Sequence, residues 1–373
     1  MLKRLFFFAC TAFGLLAGCS SPLTQSGLDP RNFLTDSTAL YTLSNSKGME
    51  VCITNYGGRI VSLLVPDKAG QMRDVVLGFD NIRSYYPENN ATDFGAAIGR
   101  YANRIAGGQF TLEGVTYRLP QNNFGHCLHG GPTGWQYRAY KALEADKTHL
   151  KLAITSPDGD NGFPGTVNAT VTYVLTEDNA VVIAYEAVTD KPTVINMTNH
   201  SYFNLSGDPA SHCIEDDVLW LNASAFTPVD STFMTSGEIR PVAGTPMDFT
   251  EAKSIGADIR SDCDQLRNGH GYDHNWVLDT HGELSEVAAE LWCPTSGINL
   301  KVYTDEPGIQ VYTGNFLDGS NVGKKGVAYP FRSAVCLETQ HYPDTPNKPD
   351  WPSATLHPGE TYSSHTVFLF GVK

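Results

Sequence analysis

Runs of Lys and Arg are missing from this 373-residue chain, which carries 26 basic against 40 acidic side chains and a formal charge of −14. Binding a phosphate backbone needs a basic stripe, so nucleic acid is excluded as a partner and the acidic surplus serves solubility. None of the eight cysteines forms a C-x-x-C pair, and their wide, irregular spacing offers neither a zinc nor a redox motif. Glycine is plentiful, but "GRYANRIAGG" at 99–108 has neither Rossmann nor Walker spacing and no strand–helix context for binding phosphate. Helical periodicity is nearly absent. Only "TEAKSIGADIRS" at 250–261 reads as a helix, and Gly256 weakens that reading. No fixed-period repeat, Pro/Ser-rich linker or shift in composition divides residues 37–373, so one domain is the simplest reading.

Short strand-like runs fill the space instead. "ALYTLSN", "MEVCITNY", "RIVSLLVP", "DVVLGF", "HLKLAITS", "TVNATVTYVLT", "AVVIAYEAVT", "TVINMTN", "DVLWLNA", "HNWVLD", "EVAAELWC", "INLKVYT", "IQVYTG" and "TVFLFGV" are rich in β-branched and aromatic residues and bounded by Gly, Asn, Asp or Pro. Turn residues such as "EDN" at 177–179 and "SG" at 296–297 join neighbouring runs as antiparallel hairpins. An all-β chain with hydrophobic content of 41% can bury a large core, and a large antiparallel β-sandwich is the expected fold.

The amino terminus stands apart. "MLKRLFFFACTAFGLLAGCSS" sets Lys3 and Arg4 before an apolar run too short to span a bilayer comfortably, then small residues. Its "LAGC" resembles a bacterial lipobox, which implies cleavage after residue 18, a lipid on Cys19 and a membrane-anchored lipoprotein facing the periplasm or the cell exterior. Residues 19–36 are polar and Ser/Pro-rich, as expected of the lipidated cysteine and a flexible tether, with residues 37–373 as the folded body. Cys52, Cys127, Cys213, Cys263, Cys293 and Cys336 remain after cleavage and acylation; export permits disulfides among them, but spacing pairs none.

Five stretches are too polar and too aromatic for ordinary loops: "GRYANRIAGG", "HCLHGGPTGW" at 126–135, "NMTNHSYFNLSG" at 196–207, "GHGYDHNW" at 269–276 and "CLETQHYPD" at 336–344. Amides and charges that fix hydroxyls, aromatic faces for the C–H surface and glycines for close approach are the composition of a sugar site. His200 falls where a strand gives way to irregular backbone. Glu338 follows the apolar "AVCL", which suggests a partly buried acid whose pKa rises towards neutrality. Taken singly, each has an ordinary structural reading: a lone histidine is more often structural than catalytic, and a strand-end carboxylate is more often exposed.

These stretches, with "NYGGRIVSLLVPDKAG", "SPDGDNGFPG", "PVAGTPMDF", "VYTGNFLDG" and "LHPGETYSSHTVFLF", resemble the aldose 1-epimerases, or galactose mutarotases, along nearly all of the mature chain. The resemblance implies a β-sandwich with a free aldose in an open cleft, and interconversion of its α and β anomers by ring opening and reclosure. It implies His200 as general acid and Glu338 as general base. Asn103, Arg104, His129, Tyr202, Asp273 and Gln310 match substrate-contacting positions, with His129 open as a second partner for the ring oxygen. No metal or cofactor is required. The lipoprotein signal and the segment around 252–270 depart from the family pattern. Rival readings are a non-catalytic carbohydrate-binding lipoprotein, a hexose-6-phosphate epimerase, for which one Arg beside two acids is a poor dianion site, and a glycosidase, whose paired carboxylates Glu338 and His200 do not match.

Overall fold

The computed structural model describes residues 23–90 and 92–373; the expected signal peptide and Cys19 lie outside them. Among the described residues, two antiparallel sheets dominate. The larger has nine strands in the spatial order Lys141–Ala145, His149–Ser156, Val167–Leu175, Ala180–Thr189, Tyr362–Val372, Ile298–Thr304, Ala289–Trp292, Val218–Leu221 and Lys253–Ser254. The second has six, in the order Tyr202–Phe203, Val335–Gln340, Gly308–Tyr312, Asp273–Val277, Ala225–Thr227 and Arg240–Pro241. A four-stranded sheet, beginning at Leu40–Ser44 and ending at Met72–Asp74, completes the frame. Alternate residues of each strand turn inward, so Val171, Tyr173, Ile183 and Tyr185 of one sheet share a continuous core with Ile309, Val311, Val335 and Leu337 of the other. Phe203 meets Phe368 edge-on across the layers at 5.1 Å.

Several expected strands fall where the alternation placed them, among them His149–Ser156, Ala180–Thr189 and Ile298–Thr304, and the "EDN" and "SG" turns join adjacent strands. Three expectations are corrected. The run "TVINMTN" is two short strands, Thr193–Val194 and Thr198–His200, because Asn196 leaves the ladder to bridge Tyr101 and binds the Ala102 and His341 carbonyls through Nδ2. Residues 250–261 are not an α-helix. The Ile255 amide bonds to the Asp217 carbonyl, Lys253–Ser254 joins the nine-stranded sheet as an edge strand, and a single turn follows at Ile255–Ala257. Tertiary pairing overrides the weak local propensity there, and the α-helix that does form is Asp264–Asn268.

The third correction concerns the tether. Residues 23–36 fold onto the body: the Gln25 and Ser26 amides donate to the Glu50 carboxylate at 2.9 and 3.0 Å. Asp29 caps the short helix Pro30–Phe33, and Leu28 and Phe33 pack among Val61, Leu77, Phe79 and Tyr85. Polar composition concealed two apolar anchors at the right spacing. Phe33→Ala should therefore destabilise the protein by about 3–5 kcal/mol in a denaturant titration, as for a core aromatic; a change below about 0.5 kcal/mol, normal for a surface site, would restore the tether reading.

Candidate active site

One face of the six-stranded sheet is the floor of a cleft. Glu338 lies opposite Gln310 and Cys336 opposite Tyr312 in the pairing of Val335–Gln340 with Gly308–Tyr312. On the next strand Asp273 lies opposite Tyr312, and on the other side Tyr202 lies opposite Cys336. Period-two alternation thus turns Tyr202, Glu338, Gln310, Tyr312 and Asp273 to the same side. Their neighbours His274, Ile309, Val311 and Leu337 turn into the interior and are buried.

The walls come from irregular backbone. Thr198–His200 pairs with Ala96–Ile98, and the Asn199 side-chain oxygen then accepts from the Ser201 amide, which ends the strand and delivers His200 to the cleft. The His200 ring stacks on Tyr202 at 5.1 Å and meets His129 edge-on at 5.2 Å. Asn103 and His129 hold each other: the His129 amide donates to the Asn103 carbonyl at 3.0 Å, and the Asn103 amide to His129 Nδ1 at 3.1 Å. Gly130, at φ 77°, lets this loop close, since a Cβ there would lie 2.3 Å from the Gly99 carbonyl oxygen.

The resulting cleft encloses about 390 Å³, and all eight residues singled out from the sequence line it: Asn103, Arg104, His129, His200, Tyr202, Asp273, Gln310 and Glu338. His200 Nε2 is 3.5 Å from Glu338 Oε1, both side chains being almost wholly buried. Gln310 Nε2 donates to Asp273 Oδ1 at 2.7 Å, and Arg104 Nε to the Asn123 side chain at 3.1 Å, with its guanidinium 4.9 Å from the Phe233 ring. Asn103 spends its side-chain oxygen on the Arg104 amide, which leaves its amide nitrogen as the end available to a ligand.

A sequence model described as "Aldose 1-epimerase" matches residues 39–369. The chain belongs to that family. It is 39% identical to the aldose 1-epimerase of Escherichia coli K12 over 333 residues, 89% of this chain and 94% of that one. It is 40% identical to the galactose mutarotase of Homo sapiens over 324 residues, 87% of this chain and 92% of that one. An aldose epimerase homologue from C. elegans superposes with a TM-score of 0.83 at 30% identity, covering 90% and 99% of the two chains. The galactose 1-epimerase of Lactobacillus acidophilus does so with 0.77 at 28%, covering 91% and 96%.

The epimerase cleft also holds residues that sequence reasoning passed over: Asp93, Asn123, Phe124, Tyr312 and Phe316. Phe316 lies in the quoted "VYTGNFLDG", and Phe124 just ahead of "HCLHGG", so an aromatic beside a polar stretch was the available signal. Asp93 precedes the strand Ala96–Ile98 and carried no such mark. It is half-buried, with Oδ1 out of reach of water and without a partner among the described residues. Asp93, His129 and His200 present donor atoms within 4.8 Å of one another, the set in the cleft able to take a cation.

Burial drives the protonation chemistry. It pushes the Asp93 carboxyl up to about 6. Glu338 is raised well above the usual carboxyl range by the same desolvation, then by the charges of Asp273 and Asp93, with Arg104 opposing. Desolvation takes His200 down to about 3, and desolvation with His200 and Arg104 nearby holds His129 well below an ordinary histidine. A raised acid keeps its proton above the pH at which a free glutamate loses it, so Glu338 should stay protonated well above pH ~4.3. The wild-type minus Glu338→Gln infrared difference spectrum should still show the protonated-carboxyl stretch above pH ~4.3, where a free glutamate has ionised, and lose it only as pH rises further. Loss of that band by about pH 5 would mean an ordinary, solvated glutamate.

Proposed function

We infer that this epimerase interconverts the α and β anomers of a free aldohexose such as galactose or glucose, with Glu338 as general base and His200 as general acid. The approach of the two groups at the bottom of the cleft carries the reading. The C1 hydroxyl oxygen and the ring oxygen O5 are both bonded to C1, so an acid and a base that serve them must converge on one carbon, and the 3.5 Å between His200 Nε2 and Glu338 Oε1 supports that.

In the opening step Glu338 takes the proton from the C1 hydroxyl, the C1–O bond becomes a carbonyl, the C1–O5 bond breaks, and O5 takes the proton from His200 Nε2. Rotation about C1–C2 presents the other face of the aldehyde. On closure O5 attacks C1 and returns its proton to His200, while the new hydroxyl oxygen takes the proton back from Glu338. No net proton is consumed. In the empty cleft the raised acid and lowered imidazole leave the shared proton on Glu338. A bound hemiacetal favours the ionised pair, because O1–H donates to the carboxylate and O5 accepts from the imidazolium.

His129 takes a different part. Its Nδ1 already accepts from the Asn103 amide, so the neutral ring carries its proton on Nε2 and serves as a neutral donor to the sugar rather than as the acid. Asp273, oriented by Gln310, and Arg104 grip hydroxyls away from C1. Tyr202, Tyr312 and Phe316 offer aromatic surface to the sugar's C–H face.

We also propose that the enzyme works outside the cytoplasm, held by a lipid on Cys19. Lys3 and Arg4, the short apolar run and "LAGC" support this.

Two outcomes test these readings. Glu338→Gln should cut catalysed mutarotation of fresh α-glucose, followed by optical rotation, by about 10²- to 10⁴-fold while galactose still binds; wild-type turnover would remove Glu338 as the base. In cells, the wild type should partition with membranes into detergent and Cys19→Ser should not. Equal partition of the two would rule out the lipid.

A further inference from the structure

Away from the cleft, at one end of the nine-stranded sheet, an imidazole, a carboxylate and a thiol meet. Val218 pairs with Trp292, so Asp217 and Cys293 lie next outward on the same two antiparallel strands, where cross-strand side chains are neighbours. The short helix Ile214–Asp216 folds the preceding chain back, which brings His212 over the pair. Asn204 holds that bend by donating to the His212 and Ser333 carbonyls at 3.3 and 2.7 Å. His212 Nε2 is 2.8 Å from Asp217 Oδ1 and 3.7 Å from Cys293 Sγ, and the three donor atoms lie within 4.8 Å of one another.

Asp217 and Cys293 are fully buried, while the His212 side chain keeps 11% of its surface exposed. Among the described residues Asp217 Oδ2 has no hydrogen-bond partner. A buried carboxylate oxygen without a partner is costly, and one imidazole N–H answers only the other oxygen. A cation on the carboxylate would offset the charge that the protein leaves uncompensated there.

We propose that His212, Asp217 and Cys293 form a three-ligand site for zinc or a chemically similar divalent transition metal, entered past the exposed edge of His212. Nitrogen, oxygen and sulfur donors are the set that zinc takes. Tetrahedral bonds of about 2.1 Å to N and O and 2.3 Å to S put the ligand atoms roughly 3.4 Å (N to O) and 3.6 Å (N to S) apart. The imidazole–sulfur separation already fits, and the carboxylate needs to withdraw by roughly half an ångström. Binding expels the thiol proton and the imidazole Nε2 proton to solvent and leaves the imidazole protonated on Nδ1 alone, so that thiolate, neutral imidazole and carboxylate face the metal. The site would pin the ends of two neighbouring strands near the edge of the nine-stranded sheet to the loop that follows Tyr202–Phe203. It uses no residue of the catalytic cleft.

Cobalt(II) added to chelator-stripped full-length protein tests this. The wild type should take up one equivalent with a thiolate-to-cobalt charge-transfer band, displaced by zinc. Cys293→Ser should lose the band, Cys213→Ser should keep it, and His212→Gln and Asp217→Asn should bind at least about tenfold more weakly. Zinc should raise the melting temperature of the wild type but not of His212→Gln, and mutarotation by stripped His212→Gln should stay at the wild-type level. No charge-transfer band in the wild type, or a band that survives Cys293→Ser, overturns the proposal. So does a band lost in Cys213→Ser. If Cys293→Ser does not fold, wild-type cobalt affinity in His212→Gln, whose side chain reaches the surface, overturns it as well.

Discussion

Strand alternation in the six-stranded sheet is the constraint on which the site depends. One face must bury Ile309, Val311, Val335 and Leu337 against the nine-stranded sheet, and that burial fixes which side Gln310 and Glu338 occupy. A slip of one residue would drive two polar groups into the core and raise leucine and valine into the cleft. The core's demand for register therefore also aims the catalytic groups. A site built on three adjacent strands inherits the rigidity of the sheet, which holds Glu338 close to an imidazole that arrives from elsewhere in the chain.

The second group is placed by the opposite device. His200 comes at a point where the chain changes sheets: Thr198–His200 belongs to a two-stranded pairing and Tyr202–Phe203 to the six-stranded sheet. Asn199 and Gly95 make the change possible, since the Asn199 side chain bonds to the Gly95 carbonyl and the Ser201 amide while the Gly95 amide bonds to the His200 carbonyl. Rigid sheet and local irregularity meet at the floor of the cleft. Neither alone would bring the His200 imidazole to 3.5 Å from the Glu338 carboxyl.

Much of this was legible in the sequence, for physical reasons that differ from part to part. Long strands were readable because period-two burial leaves a period-two pattern, as in "HLKLAITS" and "INLKVYT". Cleft residues stood out as polar and aromatic words where a plain sandwich needs neither, and the ordered series of those words carried the family resemblance. What failed depends on partners distant in the chain. Asp93 looks like any loop acid until folding brings it to His129 and His200. Leu28 and Phe33 look like tether residues until a hydrophobic hollow receives them. Lys253–Ser254 looks helical until the edge of the nine-stranded sheet claims it. Nothing in the local sequence marks His212, and only the Val218–Trp292 register places Asp217 and Cys293 beside it.

Among the described residues, several buried polar atoms of the cleft side chains have no partner: His200 Nδ1, Glu338 Oε2, Gln310 Oε1 and Asp93 Oδ1. A fold that concentrates such groups in one place loses stability there. The same desolvation that makes the groups costly raises Glu338 and lowers His200. Under the proposed roles, the ability of the pair to pass one proton between two sugar oxygens thus rests on the same burial that costs the fold stability.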